Sequence, residues 1–489
     1  MIQGGNDMTL AARPRPDTSA LGRLTSTFAG SLIGPDDASY DQVRRSLVWN
    51  GMHDRRPALI ARCTSAGDVQ AALSYAQSEH LVVAVRGGGH STPGYSSCDG
   101  GLVIDTGPMK RADIDVASRT GHFGAGLTWA ELDAATQEHG LAVTGGRVSH
   151  TGIAGLTLGS GSGWLERTYG MTCASLLSAE VVTADGRVLR ASAGENADLL
   201  WGLKGGGGNF GVVTDFEFRL HPIGPIVYAG MILHPRAAAP GLARFYRDFM
   251  ADAPDEVGGA LALVTAPPAD FVPEHARGKP VCALIVIYVG DPAQGEQAFR
   301  PLLSWGEPWL TMVQPMPYTA VQQFLDPGYP WGILDYSKSD YLHALPDDAI
   351  DEMIRRAAQA RSPFSAVILC PLGGQMSRVD RNSMALNIPD TAWMYFCEAT
   401  SWDAAVQDRE IAWARDFMAA MRPWSVDQAP PNFLEPDEGD SRLRRSYGEE
   451  KYRKLVALKD TYDPRNMFAL NGNIRPSASA SPPSRRSSR

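Results

Sequence analysis

No run of apolar residues in this 489-residue sequence approaches the roughly 20 needed to cross a bilayer as a helix, so membrane-spanning segments of that kind are excluded. Cysteine is sparse. Its six copies, Cys63, Cys98, Cys173, Cys282, Cys370 and Cys397, are scattered without a CxxC pair, which fits neither a disulfide framework nor structural zinc and suits a reducing compartment. An excess of basic charge is missing too. A formal net charge of -9 gives no long-range attraction to a phosphate backbone, and nucleic acid is not an expected partner. The opening MIQGGNDMTLAARPRPDTSA lacks a charged start followed by an apolar segment, so no secretory signal is read and a cytoplasmic location is expected.

What is present is the composition of a large folded protein, 44% hydrophobic and 20% charged, too long for a single core. Two or more domains are expected. Residues 56 to 222 alternate β-rich runs, helical stretches and glycine turns. ALIARCTSAGDVQAALSYAQSEHLVVAVRGGGHS reads as strand, amphipathic helix starting near Ser65 and Asp68, and strand. SLLSAEVVTADGRVLRAS reads as a hairpin with Asp185-Gly186 as a two-residue turn. From 226 to 431, candidate strands GALALVTA, PVCALIVIYVGD, SAVILCPLGG and WMYFCEATSW alternate with helices such as DDAIDEMIRRAAQA, which predicts a sheet with helices on one face. The segment SRLRRSYGEEKYRKLVALKDTYDPRNMFALNGNIRP reads as one basic helix stopped at Asp463-Pro464, followed by an asparagine-rich loop that packs on an earlier domain. SASASPPSRRSSR has nothing to bury, and disorder is expected. The fold class is α+β.

Three glycine-rich loops fall in the first domain: RGGGHS (86 to 91), GIAGLTLGSGSGWL (152 to 165) and GLKGGGGNFGVVT (202 to 214). Clustered glycines mark backbone that takes positive φ or approaches another group closely, and the N–H groups of such loops make anion sites. Several in one domain suit the pyrophosphate of a dinucleotide. GSGSGWL lacks the Lys-Ser or Lys-Thr of a P-loop, and RGGGHS places histidine where a Rossmann fingerprint needs glycine spacing. His90 then stands in a turn stripped of side chains, where a neutral imidazole could attack an electrophilic cofactor. No metal site is expected.

RGGGHS, GGRVSHTGIAGLTLGSGSGWLERTYGMT, ADLLWGLKGGGGNFGVVTDFEFRLHP and YDPRNMFALNGNIRP, in this order, resemble the FAD-linked oxidases of the berberine bridge enzyme type, within the vanillyl-alcohol oxidase superfamily. The resemblance runs from about Ser39 to Pro476. It implies a PCMH-type FAD-binding domain over 39–225, a substrate domain over 226–431 built as an antiparallel sheet covered by helices, and a segment 432–476 returning to the FAD domain. A leading segment 1–38 and a tail 477–489 complete the division.

The resemblance implies that His90 bonds covalently to the flavin. Val148 stands where some relatives carry a second, cysteine tether, so a single bond is expected, and Cys173 is assigned to the core. Thr151 matches the residue over the flavin ring that governs dioxygen access. The expected cofactor contacts are Arg86, Gly87, Gly88, Gly89, His90 and Ser91; Val148, Thr151, Gly152, Gly155, Gly159, Gly161, Gly163 and Trp164; Gly208, Asn209, Gly211, Val212 and Val213; and Asn471 and Asn473. Ala174-Ser175 replaces an Asp-Asn pair common in relatives, and QAPPNFL lacks the tyrosine that relatives place before Asn432, so neither contact carries over. His150, Tyr336 and Glu398 are the catalytic candidates, with Asp335 and Tyr395 beside them.

The implied reaction is hydride transfer from a small molecule to FAD and reoxidation by dioxygen, in a tailoring oxidase of secondary metabolism such as antibiotic biosynthesis, including oxidations that trigger ring closure. A carbohydrate or alcohol oxidase is the alternative enzyme, and an FAD-binding protein without turnover is the alternative outside enzymes. The aromatic segment DPGYPWGILDYSKSDYL suits a flat substrate.

Overall fold

Leu59–Arg62, Val83–Arg86 and Leu102–Asp105 are short apolar runs that pair in parallel, as strands covered on both faces do. The helix Ala66–Ser78 crosses between the first two, and the Ser65 side chain caps it by accepting from the Asp68 N–H at 3.2 Å. The computed structural model describes residues 18–390 and 392–477; the tail expected to be disordered lies, from residue 478 on, outside the described residues, as do the first 17. Ser31–Ile33, set apart in the leading segment on sequence, pairs antiparallel with Leu59–Arg62 and belongs to the first domain.

A second sheet of this domain is antiparallel, in the order Ala112–Asp115, Thr120–Gly124, Val212–Arg219, Leu176–Val182, Val188–Ser192. The Asp185-Gly186 hairpin forms, but its loop is longer than two residues. Thr183 N donates to Arg187 O, and Gly186 at φ 83° supplies the left-handed position.

The second domain is a seven-stranded antiparallel sheet in the order Leu310–Pro317, Ile226–Pro235, Pro280–Tyr288, Val257–Thr265, Ala366–Pro371, Trp393–Ser401, Leu334–Leu342. The four expected strands are present. Ile226–Pro235, Leu310–Pro317 and Leu334–Leu342 were not foreseen. Helices Ala239–Asp252, Pro292–Leu303, Asp347–Ala357 and Ala404–Met421 cover one face. Alternation along Trp393–Ser401 sends Trp393, Tyr395, Cys397 and Ala399 into that helical core, while Phe396, Glu398 and Thr400 face the first domain.

The expected single C-terminal helix is two, Gly439–Tyr447 and Glu449–Tyr462, separated at Gly448 with φ 76°. Leu443, Tyr447, Leu455, Leu458 and Tyr462 pack into the first domain's core. Lys459 and Asp463, both fully buried, pair at 2.7 Å, and the Lys459 ammonium also donates to the carbonyls of Asn209 and Phe468. The chain end carrying Asn471 is thereby tied to the third glycine loop.

Candidate active site

Between the first domain and the uncovered sheet face lies a cavity of about 1270 Å³, beyond the ~300–1,000 Å³ of an ordinary small-molecule site. The first two glycine loops meet there backbone to backbone. A Cβ on Gly88 would collide with the main chain of Gly152, and one on Gly152 with that of Gly88. Gly89 holds φ 78°, which turns the chain so that His90 leaves the loop toward the second domain.

Of the residues expected to contact the cofactor, Gly87, Gly88, Gly89, His90, Ser91, Val148, Thr151, Gly152, Gly155, Gly159, Trp164, Gly208, Gly211, Val213 and Asn471 line this cavity. Arg86, Gly161, Gly163, Asn209, Val212 and Asn473 stand behind it. Arg86 is engaged with Asp105 at 2.9 Å. The Asn209 amide donates to the carbonyls of Gly206 and Gly472 and accepts from the Ile474 N–H, which clasps the third loop to the chain end. Cys173 is buried in the core, as expected.

His90 is held by a network that sequence only partly exposed. Its Nε2 lies 2.6 Å from His150 Nδ1, and its ring stacks on Trp49 at 5.0 Å between centroids. At this distance one of the two nitrogens donates and the other accepts, so a proton on His90 Nε2 directed at His150 leaves His90 Nδ1 unprotonated. Burial, with His150 and Arg86 as lesser causes, lowers the His90 pKa to about 3 and keeps the ring neutral. The loop carrying Tyr329 is stitched to the first domain: Asp326 accepts from Ser149 N at 2.7 Å, and Trp49 Nε1 donates to Tyr329 O at 2.8 Å.

Tyr329 also meets the candidate base. Its hydroxyl donates to Glu398 Oε2 in a short hydrogen bond. Burial, and after it the charge of Asp335, raises the Glu398 pKa to about 8, against the opposing pull of the Tyr329 bond and Arg147. Asp335, 3% exposed, is raised to about 6 by burial while Ser337 and Thr400 donate to it at 2.8 Å. Two other candidates point elsewhere. Tyr336 sits on the opposite face of its strand, donating to Asp437 at 2.8 Å beside Arg415, and Tyr395 bonds Ser425 in the helical core. Period-two alternation is the reason: Asp335 and Ser337 face the cavity, so Tyr336 cannot. Tyr329, Trp49 and Asp326 were missed. Tyr329 lay inside the aromatic stretch already singled out, where nothing local distinguishes it from Tyr336.

FAD fits this site. Backbone from three glycine loops forms one wall, and cavity-lining Asn471, Arg147 and Trp164 each keep a buried polar atom without a hydrogen-bond partner in the protein: Oδ1, Nε and Nε1. The fold and cradle define an FAD-dependent oxidoreductase, and residues 57–192 match the FAD binding domain family model. Residues 431–475 match the model described as berberine and berberine like. The chain is 29% identical to (R)-6-hydroxynicotine oxidase of Paenarthrobacter nicotinovorans over 93% of this chain and 98% of that one. It is 27% identical to bifunctional solanapyrone synthase of Alternaria solani, covering 91% and 86%. The crystal structure of 6-hydroxy-D-nicotine oxidase from Arthrobacter nicotinovorans superposes with a TM-score of 0.81 at 27% identity, over 91% of this chain and 98% of that one. The chain thus carries an FAD binding domain and a berberine-like C-terminal segment, and along nearly its whole length it is similar to FAD-linked oxidases.

Proposed function

We propose that this chain is an oxidase that carries FAD covalently on His90 and oxidises a small natural product, including substrates whose oxidation triggers ring closure. FAD when bound supplies a two-electron acceptor, with dioxygen as the final oxidant. The protein supplies the rest. His150 takes the Nε2 proton of His90 into a hydrogen bond, which leaves Nδ1 as the attaching nitrogen, and Trp49 fixes the ring plane. Val148 at the second-tether position supports a single bond, and the small side chain of Thr151, on the same cavity wall, suits the dioxygen-access role that the resemblance assigns to it.

Glu398 accepts the proton released as the substrate gives up its hydride, and Tyr329 orients that carboxyl. Arg147, paired with Glu166 at 2.6 Å, keeps a positive charge on the same wall. The observation that carries this reading is the convergence of the His90 network and the Tyr329–Glu398 pair on one cavity, through the loop whose Tyr329 carbonyl holds Trp49 against His90. Largely apolar walls favour it over a carbohydrate oxidase. Six buried, unpaired cysteines are in keeping with a cytoplasmic setting.

Acid precipitation of purified protein is the first test, with yellow colour expected in the pellet and an FAD adduct on the tryptic peptide spanning His90. An unadducted peptide in fully active material overturns the tether. A substrate panel that never bleaches the flavin anaerobically would instead favour a binding protein without turnover.

A further inference from the structure

The part of the cavity beyond the glycine loops has a chemistry of its own. Leu233, Ala283, Ala262, Ile368 and Phe396 lie side by side in register across five strands of the sheet, and all five line the cavity. Four strand spacings of about 4.8 Å make this row roughly 19 Å long. Small side chains at its centre, Ala262 and Ala283, give it depth. No cavity-lining residue of the Ile226, Pro280, Val257 or Ala366 strands is charged. The carboxylates sit at one side only: Glu398 is paired in register with Ala366 and Ser337, and Asp335 with Thr400.

The connection 266–279 folds over the same strands. Its Val272 and Ala276 are buried with Leu233, Ala262 and Ala283, and Ala266 N to Lys279 O at 2.9 Å closes its base. Phe271 on this connection and Phe364 on the one before the Ala366 strand line the cavity yet are 46% and 47% exposed. Both lie at the same end of the sheet, where an apolar tail would emerge. Exposed aromatics gathered at the mouth of an apolar groove suit an apolar ligand.

We propose that this row is the binding site for the uncharged hydrocarbon body of the substrate, which lies across the sheet beneath the 266–279 connection with its reacting end at Glu398 and Tyr329. The substrate class is an elongated apolar molecule with one weakly acidic group, not a sugar, an amino acid or a dicarboxylate. This rests on Glu398 marking the reacting end, as proposed above, but it concerns binding and is tested without turnover.

The Glu398→Gln holoenzyme is titrated by calorimetry with 4-methyl-, 4-ethyl-, 4-butyl- and 4-hexylphenol, and with the corresponding phenols ending in a carboxylate. Affinity should rise about threefold for each added methylene, as burial of hydrocarbon requires, and a terminal carboxylate should weaken binding more than tenfold. Ala262→Phe, which fills the row, should remove the gain for hexylphenol and spare methylphenol. Should that variant fold poorly, Phe271→Asp at the exposed end should weaken hexylphenol alone. Equal affinities along the series, or carboxylates bound as well as alkyl chains, would overturn the assignment. A chain-length gain in a protein whose flavin no substrate bleaches leaves this site standing while the oxidase reading falls. Bleaching without any gain does the reverse.

Discussion

His90 Nε2 and His150 Nδ1 stand 2.6 Å apart although 60 residues separate them in sequence, so the hydrogen bond between them ties the tautomer of one ring to that of the other. A hydrogen bond of this kind contributes roughly 1.4 kcal/mol, a factor of about ten. His150→Ala should therefore slow covalent attachment about tenfold when apoprotein is mixed with FAD, read as the growth of acid-stable absorbance. His150→Gln, which can still accept from His90, should recover part of the rate. Equal attachment rates in all three proteins would show that the pair does not set the tautomer.

Glu398 gives a pH dependence with a definite sign. Its pKa is raised to about 8, so the carboxyl is mostly protonated at neutral pH and the basic form accumulates as pH rises. Log kcat/KM should climb with a slope near one below about pH 8 and then level. Glu398→Gln should lower kcat by roughly 10²- to 10⁴-fold and remove that limb. Tyr329→Phe keeps the carboxyl and loses the donor that holds it ionised, so the inflection should move upward. A profile flat from pH 6 to 9 in the wild type would assign the proton transfer to another group.

Gly88 and Gly152 face each other so closely that neither tolerates a Cβ without movement of the opposing main chain. Gly88→Ala should spread the two loops, costing about 1–3 kcal/mol as overpacking does. The expected result is a folded protein with less flavin per chain and a lower Tm, measured by absorbance ratio and thermal denaturation. Gly186→Ala, in a hairpin loop with open space around its Cβ, is the control: it strains a positive φ but should leave flavin content unchanged.

The glycine loops were legible because no other residue fits where backbone meets backbone, and His90 was legible because nothing nearby in sequence could occupy it. The Val257, Pro280, Ala366 and Trp393 strands, nine, nine, six and nine residues long, were legible as the β-rich runs GALALVTA, PVCALIVIYVGD, SAVILCPLGG and WMYFCEATSW. Leu334–Leu342 was not, since LDYSKSDYL mixes charge into both faces: one meets the cavity and its carboxylates, the other meets Asp437 and Arg415. That ambiguity put Tyr336 among the candidates in place of Tyr329. Gly448 was read as an interior glycine of one helix, because only the packed chain shows it at φ 76° between two. Tyr329, Trp49 and His150 come from three separate segments, and tertiary contacts alone bring them to His90.

Lys459 and Asp463 form an ion pair that is fully buried on both sides, and the Asp463 carboxylate also accepts the N–H groups of Met467 and Phe468. Removing one member of such a pair leaves a charge in apolar surroundings and costs about 3–5 kcal/mol. Lys459→Met should therefore lower the midpoint of urea denaturation with little change in its slope. Because the Lys459 ammonium also bonds Asn209 O, the loss should reach the third glycine loop and reduce FAD retention on dilution. The double variant Lys459→Met with Asp463→Asn removes both charges and keeps an acceptor for one of the two N–H groups, so it should recover part of the stability. If the double variant is no more stable than the single, the damage comes from the lost bonds to the Asn209 and Phe468 carbonyls, not from an unpaired charge.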